Sequence, residues 1–240
     1  MTVDIWMNTS GIITMSNSSE RLADVIIIDG PPGSGKGLLS SHYICENPTT
    51  QHISAGQQVR SIRAGEVESA YSTTVLECLV SRQYLPDEVF GDIVLEEISR
   101  APESTDLSLV DGFPHNSGDF DYVQERLRES GRRILGAVCL GATFDTCVAR
   151  MSYRGMRGGE DVRKNAVFSA TEDEKEYYAG RYSAYLEAKG ALLDILMTRG
   201  VQLESIDANL DILDQEGRQI VLSQFTQGIT SLKANNVREV

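Results

Sequence analysis

Short apolar segments alternate with longer stretches of mixed polarity along most of the chain. The strongest segment, 24–29 (DVIIID), is a β-branched run that ends at a glycine, which is typical of a strand buried on both faces of a parallel sheet. Four further strands are predicted at 52–54, 107–110, 134–140 and 201–206. Because the intervals between them are long enough for helices, the alternation predicts an α/β fold with a doubly wound, five-stranded parallel sheet flanked by helices.

The intervals between these segments predict eight helices. They cover 37–46, 57–63, 68–82, 86–100, 120–130, 144–153, 172–199 and 210–225. In the seventh helix, Tyr178, Tyr182 and Tyr185 form an i, i+4, i+7 stripe, and this spacing favours core packing over stacking on a nucleotide base.

Composition and charge exclude several classes of protein. The 240 residues are 41% hydrophobic and 24% charged, which are ordinary values for a folded chain. A formal net charge of −13 disfavours binding to nucleic acid or anionic lipid. The chain lacks an apolar run of roughly 20 residues that could span a bilayer, and its first residues lack the positive charge of a secretory signal. We therefore expect a cytoplasmic protein that binds neither nucleic acid nor membranes.

The cysteines and histidines do not have the spacing of a metal site. The four cysteines are Cys45, Cys78, Cys139 and Cys147. Because they are widely spaced and form no CxxC pair, we expect reduced thiols in the core and no zinc. His42 and His52 have no carboxylate or cysteine partner at ligand spacing, so neither is expected to bind a metal.

The chain divides into one domain with two short additions. Residues 1–22 are polar and lack clear periodicity, which predicts a loose N-terminal extension. Residues 23–228 form the predicted domain, and 229–240 a C-terminal tail. Within the domain, 155–169 carries three glycines together with Arg157 and Arg163, and this composition predicts a mobile basic flap.

A phosphate-binding loop is predicted directly after the first strand. It comprises Gly30, Pro31, Pro32, Gly33, Ser34, Gly35, Lys36 and Gly37. The glycines let successive N–H groups turn toward a phosphate chain, the following helix adds a positive field, and Lys36 adds a point charge. The alternative is a chance Gly/Pro turn. The hydroxyl that usually follows the lysine and binds Mg²⁺ is absent, because Gly37 and Leu38 occupy its two candidate places.

With further segments in the same order, this loop resembles that of the adenylate kinase and nucleoside monophosphate kinase family. Residues 52–60 (HISAGQQVR) resemble the family's HISTGDLLR segment, and 109–115 (LVDGFPH) resemble its LLDGFPR segment. The charged positions that match lid-hinge arginines, paired lid acids and a helical arginine are Arg150, Arg154, Glu172, Asp173 and Arg181. The likeness extends from about residue 24 to about residue 210.

The resemblance implies a kinase that moves the terminal phosphate of ATP, or of another triphosphate, to a nucleoside monophosphate with Mg²⁺. It implies an acceptor-binding helical insertion at about 54–84 and a short-to-medium lid at about 154–172. The implied catalytic residues are Lys36, Arg150, Arg154 and Arg181. The implied ATP-binding residues are Gly30, Pro32, Gly33, Ser34, Gly35, Lys36, Gly37, Leu38 and Arg150. The implied acceptor-binding residues are Ser54, Ala55, Arg60, Gly112, His115 and Asp119.

Plain chemistry is consistent with these roles. Phosphoryl transfer gathers many negative oxygens, so catalysis is mainly positioning and charge neutralisation. Arg150 and Arg154 are i and i+4 on one helix and can share a ligand, although the pair could also form a solvated face.

Three acidic positions have two readings each. Asp111 follows a strand at the edge where open α/β sheets bind ligands, so it is the candidate magnesium carboxylate, acting through water; the alternative is a turn or helix cap. Glu172 and Asp173 either tie the flap, with Arg157 and Arg163, in its closed position or supply ordinary N-terminal charge to a helix.

Several positions depart from the family pattern. His115 replaces an arginine for the acceptor phosphate, which removes a fixed charge and a bidentate donor. Ala55 and Gln57 replace a threonine and an aspartate, and Ala170 replaces an arginine of the lid, for which Arg157 or Arg163 could substitute. The preferred base is therefore not readable, although Asp119 stands near the position of a base-reading glutamine.

The first hypothesis is therefore a monomeric, cytoplasmic nucleoside monophosphate kinase that uses ATP and Mg²⁺. A rival is a degenerate regulatory member that binds ATP without transfer, favoured by the changes at Leu38, Ala55, His115 and Ala170. A third hypothesis is a P-loop kinase of another small metabolite.

Overall fold

The computed structural model describes residues 22–81, 83–155, 171–210 and 214–237. Their elements follow the order β1 (Asp24–Asp29), α1 (Lys36–Glu46), β2 (Thr50–Ser54), α2 (Ala55–Ala64), α3 (Ser72–Ser81), α4 (Asp87–Ser99), β3 (Leu107–Asp111), α5 (Ser117–Glu129), β4 (Ile134–Gly141), α6 (Phe144–Gly155), α7 (Glu172–Thr198), β5 (Leu203–Asp207) and α8 (Gln215–Val237). Strands and helices therefore alternate as the sequence predicts.

The five strands form one parallel sheet in the order β2-β3-β1-β4-β5. The central strand, β1, pairs with β3 on one side and β4 on the other. Its four inner residues are fully buried, as expected for a strand covered on both faces. This arrangement confirms the predicted doubly wound sheet. Parallel pairing also brings the carboxyl ends of all five strands to one edge, where the candidate site lies.

Helices cover both faces of the sheet because alternate residues of a strand point to opposite sides. On one face, Ile26 and Ile28 belong to a core cluster that contains residues of α1, α6 and α8. On the other face, Val25 and Ile27 belong to a cluster that contains residues of α4, α5 and α7. The fold thus has three layers, with the sheet in the middle.

The two ends of the predicted domain differ from the sequence prediction. Leu22, placed in the loose extension, is buried in the core. Helix α8 runs over Gln215–Val237, rather than over 210–225, and so includes most of the predicted tail. The reason is packing, because Ile229 and Leu232 are fully buried in the core on the α8 side of the sheet. The tail prediction is wrong for these residues.

The cysteines are free thiols, but only part of the core prediction holds. Cys139 and Cys147 are buried, whereas Cys45 is exposed and Cys78 is half-buried. Within the described ranges, no three His, Cys, Asp or Glu side chains are grouped to hold a metal ion. Among the same residues, no helix has the length and apolar character needed to cross a membrane.

Leu232→Ala tests the packing of α8. Leu232 is fully buried, and its Cδ2 lies so close to Gly136 of β4 that a Cβ on that glycine would be 2.5 Å away. We expect the substitution to lower the free energy of unfolding by about 2–5 kcal/mol in urea titrations, because it leaves a cavity between helix and sheet. Leu186→Ala, at a leucine that is 51% exposed on α7, should cost less than about 1 kcal/mol. Equal costs for the two variants would contradict this packing.

Candidate active site

The loop between β1 and α1 is shaped by glycines that no other residue could replace without strain. Gly33 has φ of 88°, and a Cβ there would lie 2.6 Å from the Cys147 carbonyl oxygen of α6. Gly30 has φ of 151°, and a Cβ there would lie 2.9 Å from the Leu140 carbonyl oxygen. The loop therefore passes directly against α6 and the end of β4, and its backbone is held in place by these contacts.

The start of α1 presents unpaired amides beside a positive charge. The helix begins at Lys36, and its first intrahelical bond runs from the Leu39 N–H to the Gly35 carbonyl. The N–H groups of Gly37 and Leu38 precede that bond and have no partner within the helix. Its first turn has no acidic residue. Such a helix start attracts anions, and phosphate most of all.

The Lys36 ammonium group lies over the loop itself. Its Nζ donates hydrogen bonds to the carbonyl oxygens of Gly30, at 2.6 Å, and Pro31, at 3.2 Å. The charge is therefore positioned across the mouth of the loop, where the sequence predicts the outer phosphates.

The two residues after Lys36 are Gly37 and Leu38, so neither provides a hydroxyl that could bind magnesium. Leu38 packs its side chain against the apolar core, so it can contribute only its backbone amide to the loop. Ser40 is fully buried, and its Oγ has no hydrogen-bond partner among the described residues. Ser34 of the loop is buried in the same way.

Arg150 contacts the phosphate loop through a main-chain carbonyl group. Its side chain is 7% exposed and donates to the Ser34 carbonyl at 2.9 Å and to the Ala208 and Leu210 carbonyls at 2.6 Å each. The guanidinium group thus joins the phosphate loop to the segment after β5. Arg150 is predicted to surround the transferring phosphate; it lies at the loop, and the hydrogen bonds named above go to main-chain carbonyls.

The remaining predicted lid residues are only partly described. Arg154 lies on α6, four residues after Arg150, and Arg157 and Arg163 fall outside the described residues. Glu172 and Asp173 are exposed in the first turn of α7, where Glu172 accepts a 2.8 Å ion pair from Lys175. These acids thus supply charge to the helix start.

Helix α7 is attached to the site by its tyrosines. Tyr178 and Tyr182 pack against the core, and Tyr182 donates to the Ala142 carbonyl at 2.9 Å, which supports the predicted core role of this stripe. Tyr185 donates to Asp29, the last residue of β1, also at 2.9 Å. Arg181 is exposed on the same helix, and its spacing of three and four residues from Tyr178 and Tyr185 places it beside this attached face.

The candidate magnesium carboxylate is held by two neighbouring side chains. Asp111 ends β3, and its two oxygens accept hydrogen bonds from His52 Nε2, at 2.8 Å, and Ser54 Oγ, at 2.9 Å. Burial tends to raise the pKa of Asp111, but the His52 and Ser54 hydrogen bonds outweigh it and lower the pKa overall. Asp111 is therefore an ionised carboxylate whose hydrogen bonds named here come from side chains of β2. His52 is thus paired with a carboxylate that is far from it in sequence, which the spacing of residues along the chain does not indicate.

On the acceptor side, two of the predicted residues do not point toward a ligand. Ala55 is fully buried in the core, and the Ser54 hydroxyl is bound to Asp111. Arg60 is exposed on α2, and its Nη2 donates a hydrogen bond to Gln57 Oε1 at 2.9 Å. Gly112 has φ of 76°, and a Cβ there would lie 3.3 Å from the Gly56 amide nitrogen, so it lets the start of α2 approach the end of β3. The side chain of Ala55, a predicted acceptor-binding residue, thus lies in the core.

His115 lies at the acceptor side without a fixed charge. Its imidazole stacks on Phe90 with ring centroids 4.0 Å apart and keeps 40% of its side chain exposed. The loss of water around the ring lowers the pKa of His115 below its ordinary value, so the ring is neutral at pH 7. The ring can therefore form a hydrogen bond but carries no positive charge.

Asp119 is a helix cap and not a base-reading residue. It is 1% exposed and accepts the backbone N–H groups of His115, at 2.9 Å, and Asn116, at 3.3 Å. Together with the Asn116 side chain it forms a capping box at the start of α5. The prediction that Asp119 faces the acceptor is wrong, because its side chain is buried within this turn and accepts the turn's backbone N–H groups.

Asp119→Asn tests the electrostatics of that turn. Burial raises the pKa of Asp119 to about 6, although the backbone N–H groups act in the opposite direction. A carboxyl group with a raised folded-state pKa contributes stability that is present below its ordinary pKa and is lost as the pH rises through about 6. In urea titrations between about pH 4 and pH 7, we expect the wild type to lose more stability than Asp119→Asn over that interval.

Asp121→Asn is the matched control. A hydrogen bond from Arg199 lowers the pKa of Asp121, so its contribution is constant over the same interval. A wild type and Asp119→Asn that respond identically to pH would contradict the raised pKa.

The sheet edge contains a cluster that motif spacing did not reveal. His52 and Ser54 alternate along β2 and so share one face, and Ser54 pairs in register with Asp111 of β3. The sequence contained one indication of this cluster: parallel pairing brings the carboxyl ends of the two predicted strands to the same edge of the sheet. In contrast, the stacking of His115 on Phe90 joins segments whose contact no local pattern indicates.

These features of the fold and the loop define a class of protein. A parallel sheet with a glycine loop between its central strand and a helix, and a lysine at the first helical position, is the arrangement of a P-loop nucleotide-binding protein. The family model for adenylate kinase matches residues 28–201, which is well over half of the chain. The chain belongs to the adenylate kinase family and is a nucleoside monophosphate kinase.

Curated relatives agree with this assignment at low identity. An adenylate kinase of Nocardioides sp. is 27% identical over 175 residues, which cover 72% of this chain and 84% of the relative. One from Limosilactobacillus reuteri is 27% identical over 205 residues, covering 78% and 92%. One from Bacteroides fragilis is 30% identical over 164 residues, covering 65% and 84%.

Proposed function

We propose that this protein transfers the terminal phosphate of ATP to a nucleoside monophosphate and releases two diphosphates. The observation that carries the proposal is the loop between β1 and α1, where free amides of Gly37 and Leu38 and the ammonium group of Lys36 converge on one space. A polyphosphate is the ligand that such a cradle fits. The adenylate kinase relatives support AMP as an acceptor to test first.

The charges around the loop support transfer rather than binding alone. Lys36 neutralises the donor phosphates, and Arg150 fixes the loop so that its amides need not reorganise during the reaction. Arg60 is the exposed cation on the acceptor side, and Arg181 stands on the helix attached to Asp29. By sequence position alone, Arg154 is a further proposed cation, and Arg157 or Arg163 would substitute for the arginine that Ala170 replaces.

Magnesium is proposed as the companion of ATP. Asp111 fits this role because it is ionised, lies at the carboxyl edge of the sheet and is within the electrostatic reach of Lys36. Mg²⁺ retains several waters and commonly uses one or two carboxylates, so Asp111 would hold it through water. When bound, the ion neutralises phosphate charge. His52 and Ser54 keep the carboxylate oriented toward that place.

Lys36→Ala tests the cradle. We expect diphosphate formation from ATP and a panel of AMP, CMP, GMP, UMP and their deoxy forms to fall by about 100-fold or more, because one preorganised charge on the phosphates is lost. A coupled assay measures the rate, and circular dichroism checks that the fold is kept.

The matched control is Lys233→Ala, at an exposed lysine of α8. It should leave transfer unchanged. Undiminished turnover in Lys36→Ala would contradict the cradle. Tight ATP binding by a wild type that phosphorylates no monophosphate would favour a regulatory protein, and transfer to another small molecule would favour a different metabolite kinase.

His115→Arg tests the acceptor side. A guanidinium group adds a permanent charge and a bidentate donor where the neutral imidazole now lies, so we expect the KM of the monophosphate to fall by roughly tenfold, with the KM of ATP unchanged. Steady-state kinetics at saturating ATP measures it. His42→Arg, the same change on α1, should alter neither constant. An unchanged or higher monophosphate KM in His115→Arg would show that the acceptor phosphate lies elsewhere.

A further inference from the structure

One carboxylate of α4 receives two tyrosine hydroxyls from different segments. Tyr71, the residue before α3, donates to Asp92 Oδ2 at 2.5 Å. Tyr122, on α5, donates to Asp92 Oδ1 at 2.7 Å. Charge-assisted O–H···O bonds of this length are among the stronger hydrogen bonds in proteins. The Asp92 hydrogen bond is the leading cause that raises the pKa of Tyr71 to about 12, which agrees with a tightly held hydroxyl.

The Tyr122 side of this arrangement is rigid. A Cβ on Gly91 would lie 2.5 Å from Tyr122 Cδ1, so the tyrosine ring sits directly on the backbone of α4. Phe120 and Val123, which flank Tyr122 on α5, are fully buried in the main core. Tyr122 therefore fixes Asp92 to the body of the domain.

The Tyr71 side belongs to a less firmly packed segment. Of α3, Val75 is the buried residue, and it lies with Ile62 and Ile93 in a small apolar cluster separate from the two large ones. Tyr71 packs at the edge of this small cluster. The α2 end of the α2–α3 segment is held by Ala55 in a large core cluster and by a hydrogen bond from Gln58 to Glu97. The α3 end meets the domain body through the small apolar cluster, beside the Tyr71–Asp92 hydrogen bond.

From this geometry we infer that the Tyr71–Asp92 hydrogen bond is a latch that holds the α2–α3 segment in position to receive the acceptor. The inference rests on the proposed function, because α2 carries Arg60 and the start of α2 lies against the end of β3. Tyr71 and Asp92 are positioning residues and do not touch substrate.

We expect this hydrogen bond to affect the affinity of the protein for the acceptor. If the binding-competent position of the segment is held in advance, the acceptor does not have to order it on binding. When the latch is removed, that position is occupied for a smaller fraction of the time, and the apparent affinity falls in proportion. The ATP cradle is on the other side of β3 in the sheet order and has its own supports, so its affinity should not change.

Tyr71→Phe tests the latch, because it removes one hydroxyl and keeps the ring. We expect the acceptor KM to rise about three- to tenfold, with the KM of ATP and kcat changed less than about twofold. Hydrogen–deuterium exchange should become faster in α2 and α3 and stay unchanged in α8. Ser231→Ala is the control, since it also loses one hydrogen bond from a hydroxyl to a carboxylate, that of Glu204, but between α8 and β5; its acceptor KM and its exchange in α3 should match the wild type.

Asp92→Ala provides the second variant. It should raise the acceptor KM at least as much as Tyr71→Phe, and the double variant Tyr71→Phe/Asp92→Ala should be no worse than Asp92→Ala, because both changes break the same bond. Additive effects, or an acceptor KM that is unchanged in Tyr71→Phe while the wild type is active, would overturn the latch. A wild type that transfers phosphate to no monophosphate would instead overturn the proposed function, and exchange in α3 would still show whether the hydrogen bond holds the segment.

Discussion

The candidate site depends on the close fit of the phosphate loop beneath α6. Gly33 leaves no room for a side chain against the Cys147 carbonyl, and three residues later in α6 Arg150 ties the loop to the segment after β5. The loop amides are therefore fixed by covalent geometry, packing and a buried guanidinium group. Preorganised donors of this kind stabilise developing charge without moving, which is the most effective electrostatic contribution that a protein makes to phosphoryl transfer.

Charge is distributed unevenly around this rigid loop. The chain as a whole carries −13, so it repels polyanions except where cations gather. Lys36 and the helix start make the loop side positive, and the ionised carboxylate of Asp111 lies within the electrostatic reach of Lys36. On the side proposed for the acceptor, Arg60 is exposed while His115 is neutral. Under the proposed function, the acceptor would be held by fewer fixed charges than the donor, and its position would depend more on the α2–α3 segment.

Parallel topology connects these regions. Because the strands all point one way, Asp29, Ser54 and Asp111 end at one edge although they are far apart in sequence. Asp29 receives Tyr185 of α7, and Asp111 receives two side chains of β2. Helix α7 is therefore anchored at the carboxyl edge of the sheet, and the sheet sets the distance between this anchor and Asp111.

The local sequence pattern determined the layers of the fold, the order of strands and helices along the chain, and the phosphate loop. The run 24–29 predicted a doubly buried strand, and the glycines with Lys36 predicted a phosphate loop after it, since these signals act over a few residues. Tertiary structure decided the rest. Asp119 became a cap, Ala55 entered the core, and α8 extended past 225 because Ile229 and Leu232 met the sheet. Such outcomes depend on partners that are distant in sequence, and periodicity carries no information about them.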